Sequence, residues 1–176
     1  LKEQETKMNL IERMIWDTKN GQILDEERRY VMLRADVLMG IFNQLPDAER
    51  QQALHSFMNS VKAHGSNSVA AYWLAINKNP QVLLDTMIRI SAQLGWGAWQ
   101  ICTYTPQELT IEVINSPFAK ASIVSQTPVC TPILGIMESM GSFIFNGPVQ
   151  VLEHFCHAQP NHSKSCLFII KPVAHV

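Results

Sequence analysis

The chain has 176 residues, of which 47% are hydrophobic and 16% charged, and its formal net charge is −1. This length suits one domain with a proper core, and the nearly neutral charge gives no electrostatic basis for binding nucleic acid. The longest apolar runs are broken by Gly, Pro or a charged residue well short of the length that spans a bilayer. Such a low charged fraction predicts that extra apolar surface is hidden in a dimer interface or around a cavity.

The amino-terminal residues and the cysteines indicate in which cellular compartment the protein resides. The first residues, LKEQETKMN, are polar and unlike a signal peptide. The four cysteines suit free thiols or metal ligands better than a disulfide framework. We therefore expect a cytoplasmic protein.

Helical patterns dominate the first half of the chain. Apolar residues recur at helical spacing and predict helices over 8–16, 37–45, 48–64, a segment that opens at Ser66 or Ser68, and 80–94. Gly65 is predicted to close the third helix, and Pro80 takes the first position of the last. A short strand, or a loop leading into a helix, is expected over residues 21–33.

The pattern changes to strands at Gly95. The predicted elements are strands over 95–104 and 108–114, a helix over 132–145, and strands over 149–155 and 166–173. The fold class is therefore α+β, in a single domain. A mainly helical part (1–94) packs on an antiparallel sheet of about four strands, which lies in the second part (95–176).

Three of the four cysteines and one glutamate cluster towards the carboxyl end of the chain. Cys130 precedes the last predicted helix, Glu153 and Cys156 lie on or just after the first of the last two strands, and Cys166 begins the second. A hairpin of these strands returns Cys166 to Cys156, and the helix start can approach from the side. Three sulfurs and one oxygen suit a tetrahedral zinc ion, and with no position left open the site would be structural.

Other arrangements of the same residues remain open at this point. The three cysteines can be ordinary buried thiols near an exposed glutamate, because free cysteine is among the most buried residue types. A disulfide between Cys156 and Cys166 is less favoured in a cytoplasmic chain. Cys102 is most simply a core thiol. The remaining candidate ligands are histidines, which can replace Glu153 or lie in solvent: His154, His157 and His162.

Five short motifs carry a resemblance to a known family. They are NSPFA (115–119), PVC (128–130), Gly135, FNG (145–147) and the ending Glu153-x-x-Cys156…Cys166. In these motifs the chain resembles the 4-vinyl reductase domain family, and it is similar to the N-terminal effector domain of bacterial phenol- and xylene-responsive activators. The similarity runs from about Trp96 to the carboxyl terminus and is weaker over residues 21–42.

The resemblance implies both a structure and a role. The implied fold is related to subunits of the TRAPP vesicle-tethering complex and forms a homodimer through its N-terminal part. The resemblance implies that Cys130, Glu153, Cys156 and Cys166 bind one structural zinc ion. It also implies a module that binds or senses a small hydrophobic or aromatic molecule. The alternatives are a non-catalytic scaffold of the TRAPP-subunit type and an accessory protein of tetrapyrrole vinyl reduction.

The chain departs from the phenol sensors in its loop and in its ligand anchors. The loop between the last two cysteines is longer here, with Pro160 and Asn161 in place of a tight turn that contains glycine. Those sensors anchor the ligand hydroxyl with a His and a Trp upstream of the zinc motif. Here no His occurs between Gly65 and Ser116, and Val113 stands where the Trp is expected. These differences argue against a phenol as the ligand.

An apolar cavity is expected between the inner face of the sheet and the helix after Cys130. Aromatic and methionine side chains suit an adaptable cavity, although such residues at helical spacing usually form plain core. The candidate lining residues are Trp96, Trp99, Phe118, Met137, Met140 and Phe143. No Ser/His/Asp constellation, Gly-rich phosphate loop or HExxH motif occurs, so catalysis is not expected.

Overall fold

The computed structural model of the chain describes residues 9–160 and 164–173. The helices are α1 (Leu10–Arg13), α2 (Ala35–Asn43), α3 (Asp47–Ala75), α4 (Pro80–Gln93), α5 (Pro117–Lys120) and α6 (Thr131–Ile144). The strands are β1 (Ile15–Asp17), β2 (Gln22–Asp25), β3 (Arg28–Tyr30), β4 (Ala98–Tyr104), β5 (Leu109–Ile114), β6 (Val149–Phe155) and β7 (Ser165–Pro172). Among the described residues, no helix combines the length and the apolar character needed to cross a bilayer.

The last four strands form the predicted antiparallel sheet, in the order β4-β5-β7-β6. Strand β7 pairs with β6 on one side and with β5 on the other, where Cys166 lies opposite Val113. The two central strands carry the most deeply buried residues of the sheet: Leu109, Ile111, Val113, Cys166, Phe168 and Ile170. This sheet, preceded by a mainly helical half, confirms the α+β class.

Helix α6 lies at the centre of the fold, because it packs against α3 on one side and against β6 and β7 on the other. Glycines allow both close approaches. A Cβ atom on Gly135 would lie 2.5 Å from the backbone oxygen of Met58 in α3, and one on Gly141 would lie 2.8 Å from Ile170 Cγ2 in β7. Neither distance is compatible with a side chain unless its neighbour moves.

Sequence features set both ends of α6. Cys130 is the N-cap residue, and Pro132 follows in the first turn, where a missing N–H costs no helical hydrogen bond. At the other end Asn146 has a φ of 52°, the left-handed conformation that commonly terminates helices. The Gly147 N–H then donates a 3.0 Å hydrogen bond to the backbone oxygen of Ser142. Because both ends of α6 are defined in this way, its first turn begins directly after Cys130.

Two predicted helices differ from the observed ones. The helix predicted over 8–16 is wrong beyond Arg13, because residues 15–17 pair with β2 as strand β1; its first residue, Met8, lies outside the described residues. The break predicted at Gly65 is also wrong, since α3 runs through it without interruption. A Cβ atom on Gly65 would lie 2.9 Å from Ile136 Cδ1. This glycine therefore serves the contact between α3 and α6 and does not end a helix.

The N-terminal part also contains a sheet that the sequence only partly predicted. Strands β1, β2 and β3 form a three-stranded antiparallel sheet in chain order. The turn from β2 to β3 passes through Glu26, which has a φ of 56°. Asp25, at the end of β2, is only 1% exposed. A buried carboxylate in so short a strand needs a charged partner, which Arg13 at the end of α1 and Arg28 in β3 supply.

Candidate functional site

Four potential metal ligands converge where α6 begins. Cys130 caps this helix, Glu153 lies within β6, Cys156 directly follows β6, and Cys166 is the second residue of β7. All four residues are buried, and one ligand atom from each lies within 4.8 Å of the others. The structure thus brings together the four residues that the sequence singled out, in a cluster that can hold a metal ion.

Distances between the sulfur atoms are those of ligands that share one ion. Cys130 Sγ lies 3.8 Å from Cys156 Sγ and 3.6 Å from Cys166 Sγ, and the last two sulfurs are 3.9 Å apart. Three thiolates that bind a tetrahedral zinc ion, each at about 2.3 Å, stand about 3.8 Å from one another. A disulfide would need about 2.0 Å. The disulfide considered between Cys156 and Cys166 is therefore not formed, and both are free thiols.

Glu153 contributes one bonded oxygen and one without a partner. Its Oε2 atom accepts a 3.0 Å hydrogen bond from the backbone N–H of Cys130. Its Oε1 atom is buried and has no hydrogen-bond partner among the described residues. A buried carboxylate oxygen without a partner is costly, and a bond to a cation at this atom would remove the cost. The donor set therefore fits a metal ion.

Hydrogen-bond donors surround the sulfur atoms. The backbone N–H of His157 donates to Cys166 Sγ at 3.3 Å, and the hydroxyl of Ser116 lies 3.1 Å from Cys130 Sγ. Such bonds orient sulfur ligands and stabilise their negative charge. The described histidines do not belong to the ligand cluster. His154 is exposed on β6, and His162 lies outside the described residues.

The four acidic groups cannot all ionise here without a cation. Burial raises the pKa of the Cys130 thiol well above its usual value, and hydrogen bonds with Cys156 and Cys166 raise it further. Burial, followed by the charge of Cys156, also raises the pKa of the Glu153 carboxyl. Hydrogen bonds from Cys130 and Cys166 lower the pKa of Cys156 to about 2. The cluster thus accommodates negative charge on Cys156, and a divalent cation would stabilise further deprotonation.

Two apolar cavities lie among the helices. The α3–α4 cavity has a volume of about 230 Å³, and α6 contributes Ile136 to its wall. The α2–α5 cavity has a volume of about 260 Å³ and lies between α2, α3 and α5. Leu94 and Trp96 line both cavities and so separate one from the other.

The predicted pocket residues occupy different places. Trp96 lines both cavities, and Phe118 lines the α2–α5 cavity with its ring 5.4 Å from that of Trp96. Phe143 is half-buried against Trp73, with 5.7 Å between ring centroids. The other three belong to the hydrophobic core and line neither cavity: Trp99, Met137 and Met140. The pocket assignment as a whole stays a prediction.

Short connections join the metal cluster to both cavities. Ser116, which contacts Cys130 Sγ, is also the N-cap residue of α5. The next two residues, Pro117 and Phe118, line the α2–α5 cavity. Helix α6 begins at the cluster and carries Ile136 into the wall of the α3–α4 cavity. Residues of α5 and α6 therefore lie between the cluster and both cavities.

Comparisons with known proteins find structures but no sequence relatives. No family model matches the chain, and neither does any curated protein. The phenol-responsive sensory domain of the transcription activator PoxR, in a crystal structure with phenol, matches with a TM-score of 0.78 at 18% identity. The match covers 96% of this chain and 89% of that one. The chain has the fold of this sensory domain.

A second solved structure was also found. It is a vinyl-4-reductase family protein from Methanocaldococcus jannaschii, which matches with a TM-score of 0.46 at 18% identity. The match covers 80% of this chain and 91% of that one. The PoxR-like fold confirms the resemblance drawn from the sequence motifs.

Val113 stands at the position where the phenol sensors were expected to have Trp. Its side chain is fully buried in β5.

A polar cluster that the sequence did not predict lies beside the α3–α4 cavity. Arg13 Nη2 donates 3.0 Å hydrogen bonds both to Asp25 Oδ2 and to the hydroxyl of Tyr72. The three residues come from α1, β2 and α3, and Tyr72 also lines the cavity. Neither spacing nor composition indicates that they meet, because Arg13 and Tyr72 are 59 residues apart.

Proposed function

We propose that this chain binds a small hydrophobic or aromatic molecule and acts as a sensing module. The observation that carries the proposal is the α3–α4 cavity, an apolar space of about 230 Å³. A dry apolar cavity of about 150 Å³ is large enough to admit benzene. The PoxR-like fold supports this function, because that sensory domain is described as phenol-responsive.

A structural zinc ion is part of the proposal. Cys130, Glu153, Cys156 and Cys166 would hold it, and three sulfurs with one oxygen match the ligands that zinc accepts. Four protein ligands fill a tetrahedral shell, so the ion would cross-link the first turn of α6 to β6 and β7. This role needs no catalytic residue, and we propose a non-enzymatic protein.

The sensing step would use the central helix. A ligand in the α3–α4 cavity would contact Ile136, and one in the α2–α5 cavity would contact Phe118. Either contact would favour one packing of α6 over another, which is how a ligand shifts an equilibrium between two conformations. A partner protein that contacts this chain would then respond to the change in the packing of α6. A scaffold function, the alternative from the sequence, would not require an accessible cavity.

In a homodimer, a second copy of the chain would be this partner. Large apolar side chains are exposed along the N-terminal part of the chain: Ile11, Ile15, Trp16, Val31, Met32, Leu33, Val37 and Ile41. This density of exposed apolar residues is unusual for a monomer surface. We propose that a second copy covers this N-terminal apolar face.

We also propose a cytoplasmic location, which the free cysteines suit because disulfides are rare in that compartment.

Ligand binding tests the proposed function directly. Native mass spectrometry of the purified protein shows whether a small molecule co-purifies, and calorimetric titration with toluene and phenol measures binding of one-ring molecules. Replacing Ser68, which lines the α3–α4 cavity, by Leu fills the space and should weaken binding at least tenfold. Ser60→Leu on the exposed face of α3 is the matched control and should bind normally. Absence of any co-purifying molecule and of any binding to the wild-type protein would refute the function.

A further inference from the structure

One end of the α3–α4 cavity is polar, although most of its wall is not. Tyr30 and Tyr72 both line it. Tyr72 is 8% exposed and lies between the cavity and the buried pair of Arg13 and Asp25. The guanidinium carbon of Arg13 lies 5.7 Å from the centre of the Tyr72 ring. An ordered array of a carboxylate, a guanidinium and a phenol hydroxyl thus stands at the margin of an apolar space.

The buried carboxylate fixes this array. Asp25 Oδ2 accepts a 3.0 Å hydrogen bond from Arg13 and lies 3.6 Å from Arg28 Nη1. A buried ion pair is retained only where its geometry is good, because desolvating both charges is costly. Burial, followed by the charge of Asp25, raises the pKa of Tyr30, so that its hydroxyl stays protonated. The ion pair of Arg13 with Asp25 and the protonated Tyr30 hydroxyl therefore characterise the polar end of the cavity.

The direction of one hydrogen bond decides what Tyr72 can do. A guanidinium has donors only, so the Tyr72 oxygen must accept from Arg13 Nη2 at 3.0 Å. No described residue accepts a hydrogen bond from the Tyr72 hydroxyl in return. A hydroxyl whose oxygen accepts from a cation is a stronger donor. Tyr72 therefore has an unused, strengthened donor beside an apolar cavity.

We propose that the Tyr72 hydroxyl recognises an acceptor oxygen on the ligand, with Arg13 and Asp25 as positioning residues. This inference rests on the proposed function and names the class of ligand. The ligand is an uncharged one-ring molecule with a single hydroxyl or carbonyl oxygen. The missing His and Trp argue against a phenol held as the phenol sensors hold it, whereas here Tyr72 would supply the hydrogen bond to the oxygen. Its ring packs against the apolar wall formed by Val69, Met87, Ile90 and Ile136. A charged ligand would lose its hydration here without gaining a counter-ion, since Arg13 is already paired with Asp25.

A pair of molecules of nearly equal size tests the inference. Phenol and toluene differ by a hydroxyl in place of a methyl group, and calorimetry gives the affinity of each for the wild-type protein, Tyr72→Phe and Tyr104→Phe. We expect Tyr72→Phe to weaken phenol binding about five- to tenfold, as the loss of one hydrogen bond implies, and to leave toluene binding unchanged. Tyr104 is exposed on β4, and Tyr104→Phe should bind both as wild type.

Arg13→Lys tests the positioning role. It should lower the ratio of phenol to toluene affinity in the wild-type background but not in the Tyr72→Phe background, a dependence that a merely structural role would not produce. Equal losses for both ligands, or unchanged phenol binding by Tyr72→Phe, would overturn the inference.

If Tyr72→Phe does not fold, the affinities of phenol and toluene for the wild-type protein provide the test. Phenol must then bind at least as tightly as toluene, although toluene is the more apolar molecule. Tighter binding of toluene would refute the role of Tyr72 as hydrogen-bond donor to the ligand, but it would not contradict the proposed function. Failure of both molecules to bind would overturn the proposed function and this inference with it.

Discussion

The backbone N–H of Cys130 donates a 3.0 Å hydrogen bond to Glu153 Oε2, which joins the start of α6 to the middle of β6. The same carboxylate keeps its Oε1 atom buried without a described partner. One oxygen thus holds the helix and the other is left for a cation. A neutral cluster of buried thiols would not need a carboxylate at this point.

Removing this carboxylate should cost both stability and metal. Glu153→Ala leaves the Cys130 N–H buried without its acceptor, a loss of about 1–3 kcal/mol before any metal is counted. We expect a lower free energy of unfolding in urea and less bound zinc. Glu138→Ala is the control, because Glu138 lies outside the cysteine cluster and forms an ion pair with Lys62 between α3 and α6. Equal metal content in both variants would contradict the assignment of Glu153 as a ligand.

We expect the zinc content of the protein to depend on the buried thiols and not on the exposed one. Elemental analysis of the purified protein should give about one zinc per chain, as a closed four-ligand site requires. Cys156→Ser should lose most of it and lower the melting temperature, whereas Cys102→Ser should retain it, since Cys102 is exposed on β4. A strong chelator should destabilise the wild type in the same way. Undiminished zinc in Cys156→Ser would rule out the proposed site.

Two glycines at the contact between α3 and α6 should respond differently to the same substitution. Gly135→Ala drives a methyl group against the backbone oxygen of Met58, which cannot move without separating the helices. We expect a loss of about 3 kcal/mol in the free energy of unfolding. Gly65→Ala meets Ile136 Cδ1, the flexible end of a side chain, as its one close contact, since Val61 Cγ1 lies at an ordinary 3.9 Å.

Because alanine favours helix over glycine by about 1 kcal/mol, Gly65→Ala should be neutral or slightly more stable. Gly65 also lines the α3–α4 cavity, so the added methyl group should weaken ligand binding while leaving the fold intact. Urea unfolding and calorimetric titration of both variants check these expectations. A large loss of stability in Gly65→Ala would show that Ile136 cannot shift.

The N-terminal apolar face should respond to charge if it is a dimer interface. Val31 is 75% exposed within this face, and Val124, outside it, is 73% exposed. Val31→Glu should shift the protein towards monomer in sedimentation analysis, because an unpaired charge in an interface is costly. Val124→Glu has the same chemistry and exposure and should leave the association unchanged. A monomeric wild-type protein would contradict the proposed dimer.

The sequence predicted the parts of this fold that depend on local patterns. Alternation of apolar residues located β4 to β7, and the pairing of the last two strands brought Cys156 to Cys166. Gly65 was misread because a glycine in a helical pattern can mark either an end or a close contact, and only the position of Ile136 decides between them. The meeting of Arg13 with Tyr72 depends on how distant elements pack, which no local pattern encodes.

The position of Trp96 has a consequence for the size of molecule that the protein accommodates. Its side chain and that of Leu94 line both of the apolar spaces, whose volumes are about 230 and 260 Å³. A rotation of the Trp96 side chain that connected the two spaces would let the protein hold a larger molecule than either space holds alone. Selection by length would then be governed by one tryptophan rotamer, while the metal cluster and the sheet stay as they are.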